Sequence, residues 1–403
     1  MTPPAPNDVD ILISGGGMAG LIAAAAFGAQ GRRVLCVDPA PPVMSEDAAG
    51  ADLRSTAFLT PSIAVFQQAG LWARLAPHAA ALQVMRIVDA GGARPVPRLT
   101  RDFDAGEIGD QPFGWNLPNW RVRREVMAHL AHLPNAWIEA GVATTAVIAR
   151  GADTAVTLSD GRRVRARLVV GADGRDSPVR RAMGIGARRW RYGQRALAFA
   201  VTHEVPHRNI STEVHRSGGP FTLVPLPDRD GQPASAVVWM DDAAAIADLA
   251  ALPRPAFEAA LNARSAGVLG TLRQATGLTQ WPIISQIADR FTGPRAALIA
   301  EAAHVLPPIG AQGLNMSLAD LAALLDLTAG GRAGDPGDPA ALARYDHSRR
   351  PEALVRILGI DALNRTSQAA WRPLRDLRAA ALGGAYGIAP VRRLMMRAGL
   401  GLR

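Results

Sequence analysis

A glycine-rich turn near the start of the chain constrains the fold more than any other feature of the sequence. The apolar run VDILIS (9–14) is followed directly by GGGMAG and then by the alanine-rich stretch LIAAAAFGA. A second apolar run, VLCV, occupies residues 34–37. A strand, a tight turn, a helix and a second strand make a βαβ unit, and such units build parallel sheets with helices on their faces. The sequence therefore predicts an α/β fold.

The spacing of the glycines in this turn indicates a dinucleotide. Gly15, Gly17 and Gly20 satisfy G-x-G-x-x-G between a strand and a helix. In that arrangement the first glycine permits the turn, the second lets the backbone approach a pyrophosphate, and the third lets helix and strand pack closely. Asp38 ends the second strand, where a carboxylate accepts hydrogen bonds from ribose hydroxyls. The unit predicts a dinucleotide without distinguishing NAD from FAD.

Two further segments have the character of ligand-binding turns. GADGRDSPVR (171–180) follows a hairpin turning at residues 160–161 and a buried strand at 168–170. AEAAHVLPPIGAQGLNMSLAD (300–320) comes much later in the chain. Between them, runs such as ALAFAVTHEV, FTLVPLP and SAVVWM predict an antiparallel sheet, with a helical insert over 241–264. After residue 320 we expect helices to the end, interrupted by the loop GGRAGDPGDPA.

Composition excludes several classes of function. The net charge of +9 suggests a nucleic-acid partner, but the chain contains no lysine and its charge comes from abundant arginine, which we attribute to coding bias. The absence of lysine excludes Walker-type phosphate binding and Schiff-base chemistry. The single cysteine, Cys36, excludes an internal disulfide and a cysteine-based metal cluster. We therefore expect neither a nucleic-acid partner nor a metal.

The three glycine-containing segments together resemble the fingerprints of single-component FAD-dependent aromatic hydroxylases (class A flavin monooxygenases). The similarity is strongest to the ubiquinone-biosynthesis hydroxylase family, and it rests on the long string AAHVLPPIGAQGLNMSLAD. It covers residues 9–350 and is weakest over 188–286. The resemblance implies FAD as the cofactor and NAD(P)H as the reductant.

The resemblance also implies roles for individual residues. A ring of residues would hold FAD, and Pro308, Gly310 and Gln312 would form the face toward the flavin, in a loop over 308–315 that lies against the ring. The implied cofactor-binding residues are Gly15, Gly17, Met18, Ala19, Gly20, Asp38, Arg54, Arg123, Asp173, Glu301, Gly313, Leu314 and Asn315. We expect His304 to be a packed structural residue, since a lone histidine is not evidence of a base or of a metal.

This chain departs from the family pattern in the third segment and at the second strand. Ala300 and Ala311 stand where the pattern has glycine, and Glu301 stands where it has aspartate. Glu301 keeps the charge and the acceptor capacity and adds one methylene, whereas Asp38 is shorter than the glutamate common in relatives. Each alanine adds a Cβ where the backbone comes close to the ligand. The expected consequence is altered FAD affinity rather than a different cofactor.

The activity implied is hydroxylation of the aromatic ring of a polyprenylated phenol intermediate of ubiquinone biosynthesis, using O2 through a flavin C4a-hydroperoxide. Three alternatives stay open: a hydroxylase of a soluble aromatic compound, a flavin-dependent reductase of prenyl double bonds, and a non-catalytic lipid-binding or scaffold relative with weakened FAD binding. The basic, apolar C-terminus VRRLMMRAGLGLR suits contact with a membrane surface or with other ubiquinone-biosynthesis proteins, or else an ordinary packed helix.

The fold expected is a Rossmann-like FAD-binding domain with a parallel sheet, interleaved with a mostly antiparallel β substrate domain and followed by a C-terminal helical region. We place the FAD-binding domain at 1–75, 111–181 and 286–340, the substrate domain at 76–110 and 182–285, and the helical region at 341–403. The single cysteine predicts a reducing, cytoplasmic setting. A peripheral position on the inner face of the membrane is a further expectation.

Overall fold

The chain forms three β-sheets surrounded by helices in a computed structural model that describes residues 6–91, 96–216, 218–329, 334–368 and 386–401. The strands, numbered in chain order, are β1 (Asp8–Ser14), β2 (Val34–Asp38), β3 (Ser55–Leu59), β4 (Ala80–Leu82), β5 (Val84–Asp89), β6 (Leu99–Asp104), β7 (Gly114–Pro118), β8 (Ala136–Ala140), β9 (Thr144–Arg150), β10 (Asp153–Leu158), β11 (Arg163–Gly171), β12 (Ala187–His203), β13 (Ile210–His215), β14 (Pro220–Arg229), β15 (Gln232–Asp242), β16 (Leu272–Gln274), β17 (Thr279–Ala288), β18 (Thr292–Gly293), β19 (Ala296–Leu298) and β20 (His304–Val305).

Helices connect the strands and fill the C-terminal part of the chain. They are α1 (Met18–Ala29), α2 (Thr60–Gln68), α3 (Trp72–Leu75), α4 (Asn119–Leu130), α5 (Pro178–Ala182), α6 (Ala243–Ala251), α7 (Arg254–Ser265), α8 (Gln312–Ala329), α9 (Pro339–Gln368) and α10 (Ala389–Leu400). Short 3-10 turns occur at Ala76–His78, Ala105–Glu107 and Ala300–Ala302.

The first sheet is built on the predicted βαβ unit. Its strands run in the order β18-β19-β11-β1-β2-β8, and β10 and β9 extend it beside β11. β1 pairs in parallel with both β11 and β2, and β11 pairs in parallel with β19. Helix α1 is apolar all round, and its residues from Ala19 to Gly28 are buried, as expected for a helix enclosed between a sheet and other helices. The prediction of a parallel sheet around the glycine turn is confirmed.

The register of this sheet brings the three sequence motifs to one edge. Ser14 at the end of β1 is aligned with Gly171 at the end of β11, and Gly171 is aligned with Leu298 at the end of β19. The glycine turn, the GADG turn and the segment from residue 300 therefore leave the sheet side by side. In open parallel sheets this carboxyl edge is the usual place for a ligand.

The second sheet is mostly antiparallel, as predicted. Its order is β20-β17-β12-β15-β14-β13-β5-β6, with β16 also paired to β12. One pair, β13 with β5, is parallel, so a segment from before residue 90 joins strands from after residue 200. The third sheet is small, in the order β3-β7-β4. The helical insert predicted over 241–264 is confirmed as α6 and α7.

The third motif differs from its prediction in one respect. The loop expected over 308–315 is shorter, because α8 begins at Gln312 and takes residues 312–315 into its first turn. The C-terminal region is helical in its described parts, α9 and α10. Part of the predicted interrupting loop (330–333) and parts of the predicted C-terminal helices (369–385 and 402–403) lie outside the described residues.

A buried ionic network joins β20, α8 and α9. His304 Nε2 lies 2.5 Å from Asp320 Oδ2, and Arg349 Nε donates to Asp320 Oδ1 at 2.9 Å. Burial, followed by the charge of Asp320, raises the pKa of Tyr345 well above its ordinary value. Its hydroxyl donates to the Leu298 carbonyl at 2.8 Å. His304 is therefore a packed, hydrogen-bonded structural residue, as expected, and α9 is fastened to the end of β19.

Candidate active site

The three motif glycines of the first turn face different surroundings. Gly15 has φ +106°, and a Cβ on it would lie 2.4 Å from the Ala172 carbonyl oxygen. A Cβ on Gly20 would lie 1.9 Å from the Gly15 carbonyl oxygen. Gly17 is different, because no described atom lies within 4 Å of the position its Cβ would take. The protein's own packing therefore requires the first and third glycines, while the second leaves room for something outside the protein.

The N-terminus of α1 opens toward that same room. Gly17 is the N-cap, no described side chain caps the helix, and the first turn carries no acidic residue. The backbone N–H groups of Met18, Ala19 and Gly20 therefore lack partners within the helix and carry the positive end of its dipole. Such a terminus binds phosphate groups. Met18 and Ala19 contribute their N–H groups to this terminus, and their contact with a cofactor remains a prediction.

Asp38 holds the glycine turn from the adjacent strand. Its Oδ2 accepts from the Gly16 N–H at 2.6 Å, and its Oδ1 accepts from the Ala40 N–H at 2.8 Å. An ionised carboxylate has about four acceptor positions, so two remain after these bonds. The shorter aspartate is therefore drawn in toward the turn, and it keeps the capacity to accept from a ribose.

Asp173 presents a buried oxygen without a partner. Its Oδ2 accepts from the Val179 N–H at 3.0 Å and from Ser14 Oγ at 3.3 Å. Its Oδ1 is buried, and no described residue donates to it. Burial raises the pKa of this carboxyl group. Because buried polar atoms are normally hydrogen-bonded, an unpaired oxygen beside the glycine turn suits a hydroxyl donor from a ligand.

Glu301 is held by an arginine of the second motif. Arg175 Nε donates to Glu301 Oε2 at 2.9 Å, and Nη2 donates to Oε1 at 3.3 Å. The Gln286 amide donates to the Arg175 carbonyl at 3.0 Å and so ties this pair to β17. The Glu301 side chain remains 49% exposed. Glu301 therefore links the second and third motifs, with acceptor positions left for a ribityl hydroxyl.

The two alanines that replace glycine adopt a glycine-like backbone. Ala300 and Ala311 each have φ +56°, in the left-handed region that disfavours a Cβ. The sequence predicts that the two Cβ atoms affect the ligand sterically. The structure shows, in addition, a conformational cost within the protein itself. That cost is about 1–2 kcal/mol per residue. The third motif thus follows the backbone path that glycine would give, with conformational strain at these two alanines.

Arg54 contacts both its own N-terminal segment and the second sheet. Its Nε and Nη2 donate to Asp52 Oδ1 and Oδ2 at 2.7 and 2.8 Å, and Asn119 Nδ2 donates to the same Asp52 Oδ2 at 2.9 Å. The hydrogen bond that Arg54 donates to Asp52 raises the pKa of Arg54. Across from it, the guanidinium lies 5.2 Å from the ring centroid of Trp281 on β17, in the second sheet. Arg54 is therefore positioned rather than freely exposed.

Arg123 lies on α4. Its Nη1 donates to the Val43 carbonyl at 3.2 Å, so it secures the segment that follows β2 and Asp38. The sequence predicts a polar position beside the cofactor, and contact between Arg123 and a cofactor remains a prediction.

Two side chains in the first turn of α8 make their hydrogen bonds to other parts of the protein. Asn315 uses all four of its hydrogen-bonding positions on protein: Oδ1 accepts from the Leu59 N–H and Ser62 Oγ, and Nδ2 donates to the Ala57 and Ala311 carbonyls. Gln312 also has its amide bonded within the protein, to Gly310, Gly399 and Arg356. Ligand contact by these two residues is therefore left to their backbone.

Pro308, Gly310, Gly313 and Leu314 surround the start of α8. Gly310 has φ +63°, and no described atom lies within 4 Å of the position that a Cβ on Gly313 would take. The N–H groups in this first helical turn have no partner within the helix. The arrangement resembles the start of α1 in that a glycine-containing turn leads directly into a helix.

Several functional positions escaped the sequence-based prediction. Asp52, Asn119, Arg175 and Trp281 each contact a predicted residue, but only Asp52 lies close in the sequence to the residue that it contacts. Among the described residues, no group of three or more His, Cys, Asp or Glu side chains could hold a metal ion. The described residues thus offer an uncapped helix N-terminus that suits phosphates, and carboxylate oxygens that suit hydroxyl donors.

Comparison with known proteins also indicates an FAD-binding protein. The profile of the FAD binding domain family matches residues 8–355. Ubiquinone hydroxylase UbiL of Rhodospirillum rubrum is 36% identical over 97% of this chain and 89% of its own length, and 3-demethoxyubiquinol 3-hydroxylase of Escherichia coli is 26% identical over 98% of each chain. Among solved structures, p-nitrophenol 4-monooxygenase PnpA of Pseudomonas putida superposes with a TM-score of 0.77 at 19% identity, covering 98% of this chain and 99% of PnpA.

The glycine positions generate a paired prediction. Gly17→Ala is expected to leave the stability of the apoprotein within about 1 kcal/mol, the difference between glycine and alanine as an N-cap, and to weaken FAD binding. Gly20→Ala is expected to lower the free energy of unfolding by about 1–3 kcal/mol or more, since its Cβ has no space. Thermal unfolding and FAD titration of both variants measure this. Unchanged FAD affinity in Gly17→Ala would contradict the assignment.

The left-handed alanines generate a second prediction. Ala300→Gly is expected to raise the free energy of unfolding by about 0.5–1 kcal/mol, because relief of roughly 1–2 kcal/mol of strain exceeds the entropy cost of glycine. Ala302→Gly is the control: Ala302 is buried in the same turn and lies outside the left-handed region. That variant is expected to be less stable. Urea unfolding of the two proteins checks the opposite signs.

Proposed function

The chain belongs to the FAD binding domain family, among the FAD-dependent monooxygenases that include the ubiquinone hydroxylases, and we propose that it hydroxylates the aromatic ring of a polyprenylated phenol intermediate of ubiquinone biosynthesis. The similarity that supports this substrate extends over 97% of the chain. The observation in the structure that carries the cofactor assignment is the space at Gly17, in front of an uncapped helix.

The described residues fit FAD in the chemistry that they offer. Gly17 and the N–H groups of α1 would hold the pyrophosphate, and Asp38 would hold the adenosine ribose. Asp173 and Glu301 would accept from ribityl hydroxyls, because one offers an unpaired buried oxygen and the other a half-exposed carboxylate. The turn before α8 would lie along the ring.

When bound, FAD supplies the redox chemistry, taking electrons from NAD(P)H and activating O2. The protein's contribution is to orient the phenol and to keep water out while one oxygen atom is transferred. Arg54 is suited to orientation, because the bidentate bond to Asp52 fixes its guanidinium beside Trp281. Arg54 immediately precedes β3 of the third sheet and Trp281 lies on β17 of the second, so we place the ring at the junction of these two sheets.

The same reasoning assigns the domains. We assign residues 1–75, 111–181 and 286–340 to cofactor binding, 76–110 and 182–285 to substrate binding, and 341–403 to a helical region. The second sheet supports this division, because β5 and β6 pair beside β13. The small third sheet, which pairs β4 with β7, lies at the junction.

A membrane surface is the source we propose for the polyprenylated substrate. On α9 and α10 large apolar side chains are exposed, with Val355 at 70%, Leu358 at 53% and Leu394 at 67%. Arg393 and Arg397 are exposed on α10. Exposed apolar side chains with basic neighbours suit an interface with anionic lipid. None of the helices in the described part of the chain is long and apolar enough to cross a bilayer, so we propose a peripheral contact.

Activity is tested by titrating the purified protein with FAD and then following NAD(P)H oxidation. A phenol carrying a short prenyl chain is expected to stimulate oxidation and to gain one hydroxyl group, detected by mass spectrometry. The same phenol without the chain is the control and is expected to stimulate less. Equal turnover of both phenols would favour a soluble aromatic substrate. Protein that stays colourless at saturating FAD would reject the proposal and favour a non-catalytic lipid-binding or scaffold role.

Membrane contact is tested by sedimentation with anionic phospholipid vesicles. Leu394→Ser is expected to reduce the bound fraction, because it removes a large apolar side chain from the proposed interface. Ile148→Ser is the matched control, since Ile148 is 54% exposed on β9, outside that interface. Equal binding by the two variants would assign the exposed residues of α10 to another role.

A further inference from the structure

The Gln312 side chain connects three separate segments of the chain. Its Nε2 donates to the Gly310 carbonyl and to the Gly399 carbonyl, both at 2.9 Å. Its Oε1 accepts from Arg356 Nη1 at 2.9 Å. Gly310 belongs to the turn before α8, Arg356 to α9 and Gly399 to α10. One buried amide therefore joins the proposed flavin-side turn to both C-terminal helices.

Arg356 determines which way this amide points. A guanidinium can only donate and a carbonyl can only accept, so Oε1 must face Arg356 and Nε2 must face the two carbonyl groups. Reversing the amide would place its N–H groups against the guanidinium and its oxygen against the carbonyl oxygens. Arg356 is itself oriented by Glu352, whose Oε1 accepts from Arg356 Nε at 3.3 Å.

The turn that Gln312 holds is a strained one. Gly310 has φ +63° and Ala311 has φ +56°, so two consecutive residues are left-handed and the second carries a Cβ. Asn315 Nδ2 donates to the Ala311 carbonyl at 2.6 Å and restrains the turn from within α8. Gln312 restrains it from the other side through Gly310. A conformation of this kind persists only when its surroundings fix it.

We propose that Gln312, oriented by Arg356, is a positioning residue for the FAD ring, and that α9 and α10 are for this reason part of the cofactor site. The inference rests on the proposed function only in taking FAD as the cofactor. The side chain acts through the turn at 308–311: it fixes the backbone that would lie along the ring, while its own amide makes three hydrogen bonds within the protein.

The experiment compares FAD binding by Arg356→Gln and Gln312→Glu. Gln312→Glu places a carboxylate oxygen against two carbonyl oxygens, and Arg356→Gln removes the donor that orients the amide. Each is expected to raise the Kd for FAD about tenfold, the effect of losing roughly one hydrogen bond, and to shift the absorption bands of the bound flavin. Arg365→Gln is the control, because Arg365 is an exposed arginine on the same helix that pairs with Asp361. It is expected to leave the Kd unchanged.

A rescue variant separates positioning from general stability. Ala311→Gly removes the strain in the turn, so Arg356→Gln combined with Ala311→Gly is expected to bind FAD within about twofold to threefold of the wild type. If Arg356 served only to stabilise α9 and α10, the glycine would leave the loss of affinity in place. Thermal unfolding of each apoprotein identifies any variant that has failed to fold, and the remaining variant then decides.

The outcomes distinguish this inference from the proposed function. Wild-type protein that binds no FAD would reject the cofactor assignment. Wild-type protein that binds FAD, together with folded Arg356→Gln and Gln312→Glu variants whose Kd stays within twofold, would overturn the positioning role and leave the enzyme assignment intact. A tenfold loss that Ala311→Gly does not restore would also overturn it.

Discussion

The close contact between α1 and the end of β1 is the constraint on which the site depends. Gly20 lies against the Gly15 carbonyl, and any Cβ there would overlap it. Because the helix can approach this closely, its N-terminus faces the carboxyl edge of the first sheet. The register of β1, β11 and β19 brings the other two motifs to that edge. Segments separated by well over a hundred residues thus become neighbours through backbone pairing alone.

The departures from the family pattern are compensated by contacts from outside the turns. Glu301 keeps its acceptor groups and is oriented by Arg175. Ala300 and Ala311 keep the left-handed backbone of glycine although each carries a Cβ. The network of His304, Asp320 and Arg349 holds this segment against α8 and α9. A buried carboxylate that is paired with both a histidine and an arginine resists displacement. The conformation of the third motif is therefore set by helices that follow it in the chain.

Sequence reasoning succeeded where the signal was local. The βαβ unit follows from apolar runs around a glycine turn, and the antiparallel sheet follows from short runs bounded by Pro, Gly and Asp. It failed where the partner lies far away in the chain: nothing near Arg54 indicates Trp281, and nothing near Gln312 indicates Arg356. The early start of α8 was missed because proline and glycine at 307–310 favour a loop, whereas the helix begins immediately after the left-handed Ala311. The individual cofactor contacts remain predictions that the geometry suits.

The arginines have a role that net charge alone does not reveal. Arg54, Arg175 and Arg349 each bond a carboxylate within or behind the site, and Arg356 bonds an amide oxygen. A planar guanidinium with fixed donors can bridge two elements and orient a partner at the same time, which a lysine ammonium does poorly. In a chain without lysine, these four arginines thus hold segments of the candidate site in place.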